Sequence, residues 1–458
     1  GEYPRKVAYT FWAGEFITSG GATVAQALRM LGVEPVRDSQ GRVVDLKLTP
    51  SGELGRPRID VMVQVSGQLR DIAGARLKMV TDAVALAAGA EDDEYPNYVA
   101  EGTRRQEKTL VDKGESPRRA KQLATMRVFG PLNSGYSTGM LAYTEKSGEW
   151  ESADELADGY LNNMSAMYGD DDNWGTADKN ALESALGGSD VIVQPRQSNT
   201  WGPISLDHVY EFTGSMSLAA EKTGGKRPDA VMADYRNPYV PRIQATKVAV
   251  AVETRATILN REFIRQRMKG DATTAQMFGE IFRNIFGWSA TRPDLLTEGI
   301  YDELYDIYVA DREGLGIAEY FGRGNPAAYQ EMTATMLESA RKGYWKASEE
   351  QLKATAGCHA RMTEKFGAPC TEFVCANSKL HDYIVSHLDK AAAKRFVSDM
   401  SAAVSANGDS QVLREEEGNV ADPESRRSHG ALILTVIFIC LAFAVVVYVN
   451  YLIKRKND

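Results

Sequence analysis

Four residues in one short stretch could exchange protons or hold a metal: Asp207, His208, Tyr210 and Glu211. An imidazole suits proton transfer near neutrality, because its unperturbed pKa is about 6.5. On a helix Asp207 and Tyr210 stand at i,i+3, and so do His208 and Glu211, so each pair shares a face. All four are candidates for acid–base work, and His208 and Asp207 are candidate metal ligands. The same stretch also reads as a helix start, with Ser205 or Asp207 as cap and His208 on the surface. The two readings are compatible, since a capping Asp207 leaves His208 free to face a cleft.

A second set of residues could recognise an anionic, largely apolar ligand. Arg56, Arg58 and Arg70, with Asp71, are expected around the carboxyl edge of a sheet, and Asp234 and Arg236 repeat the pattern at a later strand end. Arg grips a carboxylate with two parallel hydrogen bonds, whereas an Arg–Asp network that pins loops is the plain alternative. Trp12 and Glu15 follow the first strand, where Trp12 either walls a ligand or packs in the core. His359, His381 and His387 fall in later helices and read as structural or surface residues. Cys358, Cys370 and Cys375 are spaced C-x11-C-x4-C. That spacing is loose for zinc, and leaves open ordinary thiols or a disulfide, either Cys370–Cys375 or one involving Cys358.

The elements that must position these groups are legible from periodicity. Residues 6–12 and 58–65 read as strands, and residues 22–31 and 69–88 as helices after them. Strand, helix, strand, helix predicts an α/β layer with open parallel-sheet packing, whose carboxyl edge is the usual ligand site. Further strands are expected at 190–194 and 230–233, and a helix over 208–222. Residues 129–140 form a Gly-rich loop that lacks the Lys-Ser/Thr ending of an ATP-binding loop. The acidic turn Asp170–Asp172 lacks EF-hand spacing and reads as a solvated loop. From Thr246 to about Ser405 the pattern is nearly all helical, broken at Pro293, Pro326 and Pro369. The expected organisation is an α/β domain over 1–125, a second α/β region over 126–245 holding the Gly-rich loop and the site segment, a helical domain over 246–405 and a polar linker over 406–430. No internal repeat is visible.

The 458 residues are 43% hydrophobic and 25% charged, which excludes a disordered chain. The net charge of −9, with no basic stripe, gives no reason to expect a nucleic-acid partner. Residues 431–453 carry no charge. As a helix the run is about 34 Å long, enough to cross a bilayer core of about 30 Å. It is expected to be a single C-terminal transmembrane helix. Lys454, Arg455 and Lys456 beyond it, against Arg426 and Arg427 before it, favour a cytoplasmic tail and an extracytoplasmic, periplasmic body. The chain opens Gly1-Glu2-Tyr3-Pro4 without an initiator Met, so it is expected to be a piece of a longer polypeptide or a processed product.

Several strings occur in order along the chain: Gly32-Val33-Glu34-Pro35-Val36, Gly41-Arg42-Val43, Glu53-Leu54-Gly55-Arg56-Pro57-Arg58-Ile59-Asp60-Val61, Ser66-Gly67 with Arg70-Asp71, Phe286-Gly287-Trp288-Ser289-Ala290-Thr291, Asn325-Pro326 and Arg341-Lys342-Gly343-Tyr344-Trp345. Over roughly residues 5–346 they resemble the large subunit of cobaltochelatase (CobN) and its relatives, among them the large magnesium-chelatase subunit. The resemblance implies a catalytic subunit that binds a tetrapyrrole and moves a divalent metal, cobalt or iron, into or out of it. In cobaltochelatase the ring is a corrin precursor of vitamin B12 and two ATPase subunits drive insertion, so ATP would act here only through partner subunits. A membrane relative, HmuS of haem-uptake systems, is understood to strip iron from haem. Cobalt insertion is the leading expectation. Iron removal, leaving protoporphyrin, and a non-catalytic membrane-tethered tetrapyrrole carrier are the alternatives. One departure bears on the choice: over residues 197–210 the family string is richer in acids, its His falls on Trp201, and its acidic pair becomes Asp207-His208.

Overall fold

The computed structural model describes residues 2–91, 94–132, 135–198, 202–237 and 239–410, the last five of them by backbone only. Nine strands are described: β1 Lys6–Phe11, β2 Val33–Arg37, β3 Val43–Leu48, β4 Asp60–Val65, β5 Val128–Gly130, β6 Ala166–Met167, β7 Val191–Arg196, β8 Asp229–Asp234 and β9 Arg242–Ala245. Seven of them make one sheet in the order β6-β5-β4-β1-β7-β8-β9, while β2 and β3 form a separate antiparallel pair. The five central strands β5-β4-β1-β7-β8 are parallel, and β6 and β9 close the edges antiparallel. The α/β expectation with a parallel sheet holds.

β1 and β4 are buried at every position because helices cover both faces of the sheet. Val7, Tyr9, Phe11, Val61, Val63 and Val65 meet Leu28, Leu77 and Val80 on one face. Ala8, Met62, Phe129 and Ile192 meet Tyr160, Leu182 and Met216 on the other. A third core, built around Phe278, Phe282, Trp288, Tyr308 and Tyr329, holds the helical part together. There Pro293 opens a short 3-10 turn, Pro326 sits in the first turn of the helix Pro326–Arg341, and Pro369 lies between the helices Glu349–Phe366 and Ser378–Ser386. Cys370 and Cys375 form a disulfide, and Cys358 is a buried free thiol. His359 is buried with its Nδ1 2.9 Å from Thr333, and burial pushes its pKa down to about 4.

Strand direction corrects one expectation. β4 runs from Asp60 to Val65, so Arg56 and Arg58 precede it and lie at the amino edge, not the carboxyl edge. Arg58 is buried and donates to the carbonyls of Gly32 (3.1 Å) and Thr49 (2.6 Å). Arg56 donates to the carbonyls of Pro57 (2.8 Å) and Met30 (3.3 Å). Arg56 ties the strand approach to the preceding helix Ala22–Leu31, and Arg58 ties it to the end of that helix and to the residue after β3. Between these strands the same edge carries a buried ionic group, with Asp60 3.0 Å from Arg127 and 3.3 Å from Lys6. Burial works against the Asp60 charge, but Arg127 and Lys6 hold its pKa below the usual carboxylate value.

The expected helix over 208–222 is interrupted. Asp207–Val209 is one α-turn, Tyr210–Gly214 is a π-helix, and Ser215–Gly224 resumes the α-helix. Contacts with the helix Ala272–Thr291 accompany the wider turn. Tyr210 lies on Gly287, where an added Cβ would run into its ring, and Gly214 lies on Thr291 in the same way.

Beyond residue 404 only the end of the helix Lys390–Ser410 is described. Among the described residues no helix is long and apolar enough to cross a membrane. The 431–453 segment expected to do so lies outside the described residues, as does most of the 406–430 linker.

Candidate functional site

The chain passes from β1 outward to β4 and β5, then returns across β1 to β7 and β8. The strand order therefore reverses between β1 and β7, and the two connections leaving them part and open a crevice at the carboxyl ends. A cavity of about 310 Å³ lies there. Trp12, Ala13 and Gly14 line it after β1, Ser66 and Gln68 after β4, Pro195–Ser198 at the end of β7, and Met232 within β8. Tyr136 and Ser137 from the Gly-rich loop and Leu206, His208, Val209 and Phe212 from the interrupted helix complete the wall. Gly67 lets that loop come close, since an added Cβ would strike the Gly135 carbonyl and Tyr136.

His208 is the titratable centre of this wall. Its Nδ1 is 2.7 Å from Glu211 Oε2, and its ring meets Trp12 and Phe212 edge-on, with centroids 6.5 and 6.1 Å away. Glu211 is wholly buried and accepts from the Thr138 backbone N–H at 2.9 Å and the Thr138 hydroxyl at 2.7 Å. The hydrogen bond to Glu211 raises the His208 pKa, with burial opposing it and the Glu211 and Asp207 charges adding to it. Glu211 thus fixes the ring and biases it toward imidazolium, and Nε2 is left as the nitrogen that can exchange with a ligand.

Of the two expected i,i+3 pairs, only His208 and Glu211 are hydrogen-bonded to each other among the described residues. Tyr210 is buried with its ring against Gly287 and Trp288 and does not line the cavity. Burial, then the charges of Glu145, Glu211 and Asp207, raise its pKa. Glu145, on this second side, is driven up to about 7 by burial, although Arg283 stands 3.4 Å away and in turn 3.8 Å from Glu331. Asp207 is partly exposed, accepts from the His208 backbone N–H at 2.7 Å, and lies 3.9 Å from His208 Nε2. Neither Asp207 nor Ser205 caps the helix through its side chain. Among the described residues no group of three or more His, Cys, Asp or Glu is arranged to hold a metal.

The other expected residues divide. Trp12 lines the cavity; Glu15 is buried and accepts from the Thr23 N–H at 3.2 Å, a structural bond. Arg70 and Asp71 are at the carboxyl edge but pair with each other at 2.7 Å, with Arg70 over the Tyr168 ring. Asp234 and Arg236 pair at 2.7 Å beside the cavity rather than in its wall. Sequence reasoning missed Arg196, which ends β7 and lines the cavity, and Glu253, 3.8 Å from it. It also missed Thr138 and Glu145. Arg196 had no signal in the strand pattern, because it stands two residues beyond the expected strand 190–194. Glu253 had none, because its partners are distant in sequence. Trp201, the residue aligned with the family His, lies outside the described residues.

Comparison with known proteins identifies the family. A family model described as CobN/Magnesium Chelatase matches residues 1–352. The aerobic cobaltochelatase subunit CobN of Sinorhizobium sp is 28% identical over 346 residues, covering 75% of this chain and 27% of the relative. A magnesium-chelatase subunit of Rhodobacter capsulatus is 29% identical over 370 residues, covering 81% of this chain and 30% of the relative. The catalytic subunit of cobaltochelatase from Mycobacterium tuberculosis superposes with a TM-score of 0.73 at 26% identity, covering 79% of this chain and 30% of that one. The chain therefore spans less than a third of the length of these relatives.

Proposed function

Because the chain belongs to the CobN/magnesium chelatase family, we propose that it is the part of a tetrapyrrole metal chelatase that handles ring protons, inserting cobalt into a corrin-ring precursor. The observation that carries this reading is the His208–Glu211 pair, whose imidazole lines the crevice where the strand order reverses. Insertion of a divalent metal releases the inner N–H proton or protons of the ring, one from a corrin and two from a porphyrin, as four metal–nitrogen bonds form. His208 Nε2 takes a proton, Glu211 stabilises the imidazolium through Nδ1, and Asp207 lies near enough to Nε2 to receive the proton or assist the incoming metal. Trp12, Phe212, Leu206 and Met232 supply the apolar wall a macrocycle needs. ATP, in this reading, acts through partner ATPase subunits.

A second reading, iron removal from haem, draws on a specific observation. The cavity wall contains no carboxylate among its described residues, and its one imidazole is biased toward the protonated form. That combination favours delivering protons to ring nitrogens as a metal leaves. It also suits an extracytoplasmic body held by a 431–453 anchor, which cytosolic ATPases would not reach. The test uses the full-length protein in two assays read by the ring's visible absorbance. One supplies Co2+ and the metal-free corrin precursor, with and without ATPase subunits, and the other supplies haem alone. Cobalt insertion supports the first reading, and protoporphyrin release without ATP supports the second. Ring binding without either reaction would leave a carrier and overturn both.

A further inference from the structure

The cavity wall carries charge of one sign. Among its described residues only Arg196 and His208 can bear a charge, and both charges are positive. Arg196 is 7% exposed, and burial weighs against its charge, yet a guanidinium does not give up its proton in a protein. The charges of two acids act on it: Glu253, whose Oε2 is 3.8 Å from Nη2, and Asp234, which is itself paired with Arg236 at 2.7 Å. Glu253 is committed elsewhere, accepting from the Ser205 hydroxyl at 2.6 Å and the Ile204 N–H at 3.4 Å, and burial raises its pKa. The Arg196 Nε–H donates to the Ser198 carbonyl at 3.4 Å, at the long end of a hydrogen bond. A second donor stands in the same wall: the Trp12 indole Nε1 is buried and has no partner among the described residues.

A buried, under-neutralised guanidinium beside an orphaned N–H, in a wall without carboxylates, is a receptor for an anionic oxygen group on an apolar body. We propose that Arg196 is the specificity-determining residue, gripping a carboxylate on the periphery of the tetrapyrrole, with the Trp12 indole N–H as the second donor. The inference rests on the tetrapyrrole reading above and adds what part of the ring is recognised. The cavity, about 310 Å³, is at the lower end of the roughly 300–1,000 Å³ typical of ligand sites. It takes an edge of a macrocycle rather than the whole, and the edge that bears acid side chains is the one its charge selects. Arg236, paired with Asp234 at 2.7 Å, is already neutralised and does not compete for this role.

The test compares a porphyrin dicarboxylic acid with its dimethyl ester, titrated into the full chain in detergent and followed by the ligand's absorbance. Wild type should bind the acid about tenfold or more tightly than the ester, the size of a charge-assisted hydrogen bond. Arg196→Gln should abolish that preference while ester affinity stays as in wild type. Arg196→Lys keeps the charge, loses the fork, and should show a reduced preference; it also serves if Arg196→Gln does not fold. Trp12→Phe should weaken the acid more than the ester. If wild type binds both ligands equally, or Arg196→Gln or Arg196→Lys keeps the full preference, the carboxylate assignment is wrong while the tetrapyrrole reading stands. If wild type binds neither ligand, both fall.

Discussion

At the scale of single residues one hydrogen bond, His208 Nδ1 to Glu211, sets the chemistry of the crevice. Glu211 raises the pKa of His208, so replacing it by Gln should lower that pKa, read by NMR titration of the imidazole. An unchanged titration would mean that the 2.7 Å contact carries no charge interaction. The linked stability has a definite sign. A raised histidine pKa contributes stability that is present in full below the unfolded value of about 6.5 and is lost as pH rises through the folded value. The stability difference between wild type and Glu211→Gln should therefore shrink from acid toward mildly alkaline pH. His208 is 44% exposed, so solvent screening keeps the effect small. Its participation in a shared face with Glu211 was legible from spacing alone. Arg196 and Glu253 were not, because their partnership is made by β7 and a helix that meet only in three dimensions.

At the scale of elements, the string Phe286-Gly287-Trp288-Ser289-Ala290-Thr291 acts as the base on which the site segment rests. Gly287 sits under Tyr210, Trp288 Nε1 donates to the Pro203 carbonyl at 2.7 Å, Ser289 bonds Tyr301 at 2.7 Å, and Thr291 sits under Gly214. None of these side chains lines the cavity, so the string serves it by holding the π-helix that aims His208 inward. Gly287→Ala should cost about 1–3 kcal/mol through overpacking against the Tyr210 ring. It should also lower metal-transfer activity more than that loss explains, because the His208 turn is displaced. Thermal melting and turnover together check this, and a variant with wild-type values for both would remove the string from the site. The sequence showed the parallel strands well, because their continuous apolar runs have one physical cause, cover on both faces. It placed Arg56 and Arg58 on the wrong edge, because proximity in sequence to a strand does not say which end of it a residue occupies. The π-turn was invisible, since the residues packed against it, Gly287 and Thr291, lie in a helix far away in sequence.

At the scale of the whole molecule, the described fold is one sheet with its crevice at the reversal of strand order, extended by a helical core, in a chain less than a third as long as the relatives it matches. The apolar run over 431–453 predicts that a version ending near Arg427 is released from membranes by high salt while the full chain is not. Release of both would remove the anchor. The crevice itself was foreseeable from the alternation of strands and helices, and its owner's chemistry from the family strings; the charge of its wall was not, because it depends on which strand-end residues turn inward. The central claim, that His208 moves protons for metal exchange rather than merely starting a helix, is tested most directly by comparing His208→Ala with wild type in whichever metal-transfer assay is active, with ring affinity measured alongside. His208→Ala should slow turnover by about 10²–10⁴-fold, as for loss of a general acid–base, with ring affinity and melting temperature nearly unchanged. Wild-type turnover in His208→Ala would contradict that claim.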